Sequence, residues 1–200
     1  ILKYIESIEQ AAERASALAR KLSSIAQTRS IGAGKFVHTE INAILRELQP
    51  IIRTILLQQT ELILNLTEGL PIVYADSMQL EQAILNLCIN SRDAMQDNGT
   101  LTVVSRLVSF DRDKMVHPLQ TASIYVAIDV RDTGAGMDEA TIARIFEPFF
   151  TTKPMDQGTG LGLIMVDMIM KAHNGFVLCE STLGTGTTFS LYLPADTEAS

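Results

Sequence analysis

The chain is poor in several things that would have placed it at once. It has no tryptophan and only two cysteines in 200 residues. Cys88 and Cys179 both lie inside apolar runs, AILNLCIN and GFVLCES, so they read as small buried hydrophobes and fit a reducing, cytoplasmic setting. No uninterrupted apolar stretch approaches the roughly 20 residues that a membrane span needs, so any membrane attachment is expected from segments outside this chain. The opening ILKYIESIEQ has no basic n-region and no cleavage site, which excludes a secretory signal. Positive charge is scarce as well. Sixteen Lys and Arg stand against 23 Asp and Glu, a net charge of −7, and no basic cluster exceeds Arg20 and Lys21. That argues against nucleic acid as a partner, because its phosphate backbone needs a basic face. A single nucleotide could still be held by backbone amides and a metal.

What is present is a globular composition, 46% apolar and 20% charged, in a chain long enough for one ordinary domain and a small appendage. The apolar positions Ile1, Ile5, Ile8, Ala12, Ala15, Ala19, Leu22 and Ala26 alternate spacings of four and three, the a/d pattern of a coiled coil or four-helix bundle. Such a helix cannot bury its stripe alone and no partner is encoded beside it, so a homodimer through this N-terminal helix is expected. TRSIGAGKFVHTE then loses the heptad phase among glycines and polar residues and reads as a linker, with the domain boundary near Gly32 to Lys35.

Beyond it, INAILRELQPIIRTILLQQ reads as an amphipathic helix in which Pro50 is tolerable only as a kink or break. ELILNLTE and VYAD read as strands, and Asp76 followed by Gln79 resembles a capping box opening the long helix SMQLEQAILNLCINSRDAM. TLTVVSRLVSF and SIYVAIDVRDT are two further strands, separated by a polar surface loop around Asp111 to Gln120. A short helix TIARIF, a buried helix LGLIMVDMIMKAH and a closing hairpin around GTG complete the chain. Helices and hairpin-linked strands interleaved in this way predict a two-layer α/β sandwich, a mixed sheet with helices on one face.

Four clusters could carry chemistry. Asn86, Asn90 and Asp93 fall at spacings of four and three, which puts three polar groups on one face of an otherwise apolar helix. Burying them is costly unless something pairs with them, either a ligand or hydrated metal, or a neighbouring strand or loop. Asp132, Gly134 and Gly136 directly follow a strand; a carboxylate there can accept from an exocyclic amine, and glycines let backbone approach a flat ring, although a plain turn has the same pattern. Gly158, Gly160, Leu161 and Gly162 open the last helix, where free N–H groups and the helix dipole favour phosphate oxygens. Their spacing fits neither a P-loop nor a dinucleotide fingerprint. Thr188 lies in GTGTTF, which by itself is a hairpin turn. Between the second and third clusters, IFEPFFTTKPMDQ cannot stay helical through Pro148 and Pro154. It reads as a surface loop or a mobile cover from which Thr151, Thr152 and Lys153 could reach phosphates.

In this order the segments NLCINSRDAM, DTGAG, FEPFF, GTGLGL and GTGTTF resemble the N, G1, F, G2 and G3 boxes of the GHKL superfamily over about Asn42 to Pro194. The FEPFFTTK and GTGLGL wording is similar to that of sensor histidine kinases, especially nitrogen-regulation-like and hybrid kinases. The resemblance implies a Bergerat fold for residues 35–200, with residues 1–34 a partial dimerisation helix and linker. It further implies ATP and Mg2+ as ligands: Asn90 as the magnesium-binding asparagine, Asn86 as a polar contact to metal or phosphate, and Asp132 as the acceptor of the adenine amino group, with Thr188 assisting through water. Gly134 and Gly136 would shape the adenine pocket, and the glycines at 158, 160 and 162 would present amides to phosphates. Asp93 departs from many kinases, which carry a Lys or Arg there, and leans toward other ATPases of the superfamily. The implied activity is transfer of the γ-phosphoryl group to a histidine, for relay to a response regulator receiver domain.

None of His38, His117 and His173 sits in the HE/HDxxN context of a phosphoacceptor. All three are therefore expected to be structural or surface residues, the acceptor to lie upstream of Ile1, and the chain alone not to phosphorylate itself. Two alternatives stand beside the kinase reading. A topoisomerase-, mismatch-repair- or chaperone-type ATPase would carry a glutamate where Asn86 stands, and a carboxamide is a poor general base. A non-catalytic nucleotide-binding module would keep Asn90, Asp132 and the glycines yet lack transfer.

Overall fold

A computed structural model of the chain describes residues 34–56, 59–96, 98–110, 117–120, 122–153 and 158–195. The heptad segment Ile1 to Ala26 lies outside the described residues. The described elements run β1 (Val37–Thr39), α1 (Ile41–Ile55), β2 (Thr60–Leu66), β3 (Val73–Ala75), α2 (Ser77–Met95), β4 (Gly99–Ser109), β5 (Ile124–Asp132), α3 (Glu139–Ile142), α4 (Gly162–Ala172), β6 (Phe176–Thr182) and β7 (Gly186–Pro194).

Five of these strands form one mixed sheet in the order β2-β4-β5-β7-β6, with β2 and β4 parallel and the other neighbours antiparallel. The period of two along β5 decides its packing. Val126, Ile128 and Val130 are fully buried in the main core, together with Leu101 and Val103 of β4 and Phe189, Leu191 and Leu193 of β7. The helices bring Leu45, Leu48 and Ile52 from α1, Leu80, Ile84, Leu87 and Cys88 from α2, and Val166, Ile169 and Met170 from α4 into that cluster. Each large side chain so buried contributes about 1.5–3 kcal/mol. The alternate residues Tyr125 and Ala127 join Phe176, Tyr192 and Phe110 in a smaller cluster on the other face of the sheet. There Arg106 ion-pairs with Asp129 at 2.7 Å. The two-layer α/β sandwich expected from the element order is the fold observed.

Three details differ from, or sharpen, the reading of the sequence. Helix α1 runs through Pro50 to Ile55. Pro50 is exposed, so the carbonyl one turn earlier that loses its N–H partner can meet water. The segment TRSIGAGKFVHTE, read without secondary structure, contains a strand. Val37 to Thr39 pair antiparallel with β3, and a Cβ at Gly34 would collide with the Asp76 carboxylate. Asp76 does cap α2, its Oδ1 accepting from Gln79 N at 3.1 Å. The Asp76 N–H that a capping box would satisfy from Gln79 instead donates to His173 Nε2.

Candidate functional site

Between the C-terminal half of α2, the end of β5 and the entry to α4 lies a pocket of about 430 Å³. Of the residues singled out in the sequence, it is lined by Asn86, Asn90 and Asp93 from α2, by Asp132 and Gly136, by Thr151, Thr152 and Lys153, and by Gly158, Gly160 and Gly162. Clusters up to 76 residues apart in sequence thus converge on one cavity. Gly134, Leu161 and Thr188 do not line it.

Asp132 ends β5 with only 4% of its surface exposed. Its Oδ1 accepts from Gly134 N at 2.9 Å and Thr187 N at 3.2 Å, and its Oδ2 from Ser91 Oγ at 3.0 Å. Burial raises its pKa, and these three donors oppose the rise without cancelling it. Oδ2, with a single donor among the described residues, is the oxygen with capacity left for a ligand N–H.

At the other end of the α2 face, Asp93 is held between two cations. Arg92 donates to its Oδ1 from Nε at 2.9 Å and Nη2 at 2.6 Å, and Lys153 Nζ donates to its Oδ2 at 2.6 Å. Partial burial pushes Asp93 upward, but the hydrogen bonds and charges of Lys153 and Arg92 outweigh it and hold the carboxyl below its ordinary value. Lys153 thereby ties the segment before α4 to α2. Two turns back along α2, the Nδ2 of Asn86 is buried with no hydrogen-bond partner among the described residues. An unsatisfied buried donor lining a cavity is suited to an anionic oxygen.

Two glycines are required by the backbone. Gly136 and Gly160 have φ of +65° and +64°, and a Cβ on either would strike backbone, Thr182 in one case and Phe149 in the other. Gly160 accepts from Phe149 N at 2.9 Å, which laces the FEPFF segment to the glycine-rich entry of α4.

The strand register separates two adjacent threonines. Thr187 lines the pocket and is buried, its N–H on Asp132 and its Oγ1 2.9 Å from Ser181 Oγ. Thr188 points to the other face of the sheet, where its Oγ1 accepts from Arg131 Nε at 3.3 Å. Of the two threonines it is therefore Thr187, not Thr188, that lies beside Asp132 in the pocket. Ser91 was not legible in the sequence, since a serine inside a helix carries no signal of what it faces. Its position next to Asn90 is the one hint.

The family of histidine kinase-, DNA gyrase B- and HSP90-like ATPases matches residues 75–197, and the chain belongs to it. Within that family it is a catalytic domain of the sensor-kinase type. It is 37% identical to the sensor kinase CckA of Brucella abortus (strain 2308) over 191 residues, covering 95% of this chain and 20% of that protein. It is 30% identical to the signal transduction histidine-protein kinase AtoS of Escherichia coli (strain K12), over 97% of this chain and 28% of that one. The chain thus spans between a fifth and a third of the length of these curated relatives. Among solved structures, full-length ShkA in complex with AMPPNP superposes with a TM-score of 0.71 at 23% identity, over 99% of this chain and 39% of that chain. The catalytic domain of the histidine kinase ThkA superposes with a TM-score of 0.61 at 26% identity, over 80% of this chain and 96% of that chain. Among the described residues no helix is long and apolar enough to cross a membrane.

Proposed function

We propose that this domain binds MgATP in the pocket and supplies the γ-phosphoryl group to a histidine on a dimerisation helix, for relay to an aspartate of a response regulator receiver domain. The observation that carries the reading is the arrangement of the cavity itself. A buried carboxylate with acceptor capacity, Asp132, stands at one side, and the Asn86, Asn90 and Asp93 row, Lys153 and the glycine-rich start of α4 stand at the other. An adenine amine donating to Asp132 would leave the phosphates among amides and cations. Phosphoryl transfer asks mainly for positioning and charge stabilisation, which such a wall supplies.

The residues also fit a magnesium ion bound largely by phosphates and water. Mg2+ takes oxygen ligands and commonly draws only one or two of them from protein. Asn90 offers an amide oxygen, while both Asp93 oxygens are engaged by Arg92 and Lys153. Asn90 would hold the ion; Asn86, a donor, would meet a phosphate oxygen. The ion would draw negative charge from the phosphates as the transferred group leaves. Asn86 cannot act as a general base toward water, which favours transfer over hydrolysis. A homodimer through the N-terminal helix and a cytoplasmic setting, whether of a free protein or of a membrane-bound sensor, complete the reading.

The test is to add the domain and γ-labelled ATP to a separately purified, histidine-bearing dimerisation hairpin from a related sensor kinase. Acid-labile label on the hairpin, dependent on the domain and Mg2+, is expected. Rapid phosphate release with no label on any acceptor would instead favour a water-activating ATPase.

A further inference from the structure

We infer that Ser91 is a positioning residue for base recognition: its hydroxyl, donating to Oδ2 of Asp132, orients that carboxylate and keeps it ionised, and so sets the pH range over which an adenine nucleotide is held. The inference rests on the reading of Asp132 as the acceptor of the adenine amine.

The geometry distributes the donors unequally. Oδ1 is fixed by two backbone amides, Gly134 N and Thr187 N, which belong to the turn after β5 and to β7. Oδ2 has the Ser91 hydroxyl, at 3.0 Å. Ser91 is 1% exposed and lines the pocket from α2. A serine within a helix ordinarily turns its hydroxyl back to a carbonyl of the preceding turn. Here the proton is given to a carboxylate across the helix–sheet interface, where a charge-assisted bond is stronger.

The charge state matters because an exocyclic amine is a donor. Facing an ionised Oδ2 it finds an acceptor; facing a protonated one it can meet an O–H instead. Burial drives Asp132 toward protonation, and Ser91 is the side-chain donor among the three that resist it. The other titratable groups nearby do not take over this role. Cys179 on β6, with its thiol pushed up to about 12, stays uncharged, and Asp93 and Lys153 are paired with each other.

The experiment follows the Asp132 carboxyl carbon by NMR across pH in the ligand-free protein and measures MgATP affinity by calorimetry from acid to neutral pH, for the wild type, Ser91→Ala and Asp132→Ala. For Ser91→Ala the Asp132 midpoint is expected to rise by about one pH unit, as loss of one hydrogen bond to a charged group implies, and the acid limb of ATP affinity to rise with it. Melting curves confirm that removal of one oxygen leaves the fold in place. An unchanged Asp132 midpoint in Ser91→Ala, with binding lost in Asp132→Ala, overturns this inference alone. Wild-type affinity in Asp132→Ala overturns the underlying reading and the inference with it.

Discussion

The backbone N–H of Asp76 donates to Nε2 of His173, 97 positions later, at 3.0 Å, joining the start of α2 to the end of α4. His173 Nδ1 lies 2.7 Å from the Ile169 carbonyl. The two contacts are met together by the neutral ring with its proton on Nδ1. Burial lowers the His173 pKa first; the Ile169 carbonyl and the Asp76 charge pull the other way without reversing it. A proton on Nε2 would also face the Asp76 N–H. The native ring thus binds its proton more weakly than the unfolded one. Stability is intact above the unfolded value of 6.5 and is lost as pH falls below it toward the depressed native value. Urea midpoints measured across that window should drop for the wild type. They should fall less steeply for His173→Gln, whose carbonyl can accept from Asp76 without titrating. Parallel curves would show that His173 does not contribute.

Gly160 and Gly162, two residues apart, should answer alanine substitution in opposite ways. At Gly160 a Cβ meets the Phe149 backbone at positive φ, so Gly160→Ala must move the FEPFF segment; a destabilisation of about 1–3 kcal/mol is expected from that strain. At Gly162 the nearest atom to a Cβ is Asn90 Nδ2 at 3.8 Å, inside the pocket. Gly162→Ala should leave the melting temperature unchanged or raised, since alanine favours the helix by about 1 kcal/mol. Its MgATP affinity should nevertheless fall, because the methyl occupies ligand space. Melting and calorimetry on both proteins check the pair.

The adjacent threonines give a sharper comparison. Thr187→Ala removes the hydroxyl bonded to Ser181 beside the amide that holds Asp132, and should weaken MgATP binding several-fold. Thr188→Ala, on the opposite face, should leave the affinity unchanged. A larger loss in Thr188→Ala would restore that residue to the site.

The bridge from Lys153 to Asp93 is partly in solvent, with side chains 31% and 25% exposed, so its worth to the fold is small. A double-mutant cycle of Lys153→Met and Asp93→Asn should give a coupling of about 0.5–1 kcal/mol in denaturation, reduced by salt. For the proposed site, Lys153→Met should lower affinity for ATP more than for adenosine, because the lost cation serves phosphates. Equal losses for both ligands would place Lys153 outside the phosphate end.

These contrasts mark what could be read from one-dimensional pattern. The alternation in TVVSRLV and YVAIDV, the Asp76 to Gln79 cap and the 86, 90, 93 row were legible because each is a local periodicity of the backbone. The strand at Val37 to Thr39 was not. Three residues beside glycines have no period, and their state is fixed by β3, 34 to 38 positions on. Thr187 and Thr188 are told apart only by the register of β7, because a step of one residue along a strand reverses the face and nothing in GTGTTF sets that phase. The pairing of Asp93 with Lys153 spans 60 residues and depends on tertiary placement alone.

Cys88 and Cys179 both have thiols pushed up to about 12. At pH 8 that leaves about one in ten thousand ionised, and the thiolate is the species that reacts with a maleimide. Both native thiols are thereby poor competitors for such a reagent. A single cysteine introduced at the exposed Met78, or a second one at the exposed Leu183, would take a dye at that position without first removing the native pair. Labels on α2 and on the turn between β6 and β7 could then follow, by energy transfer with the pocket's own residues unchanged, how the distance between them changes as a nucleotide is titrated in.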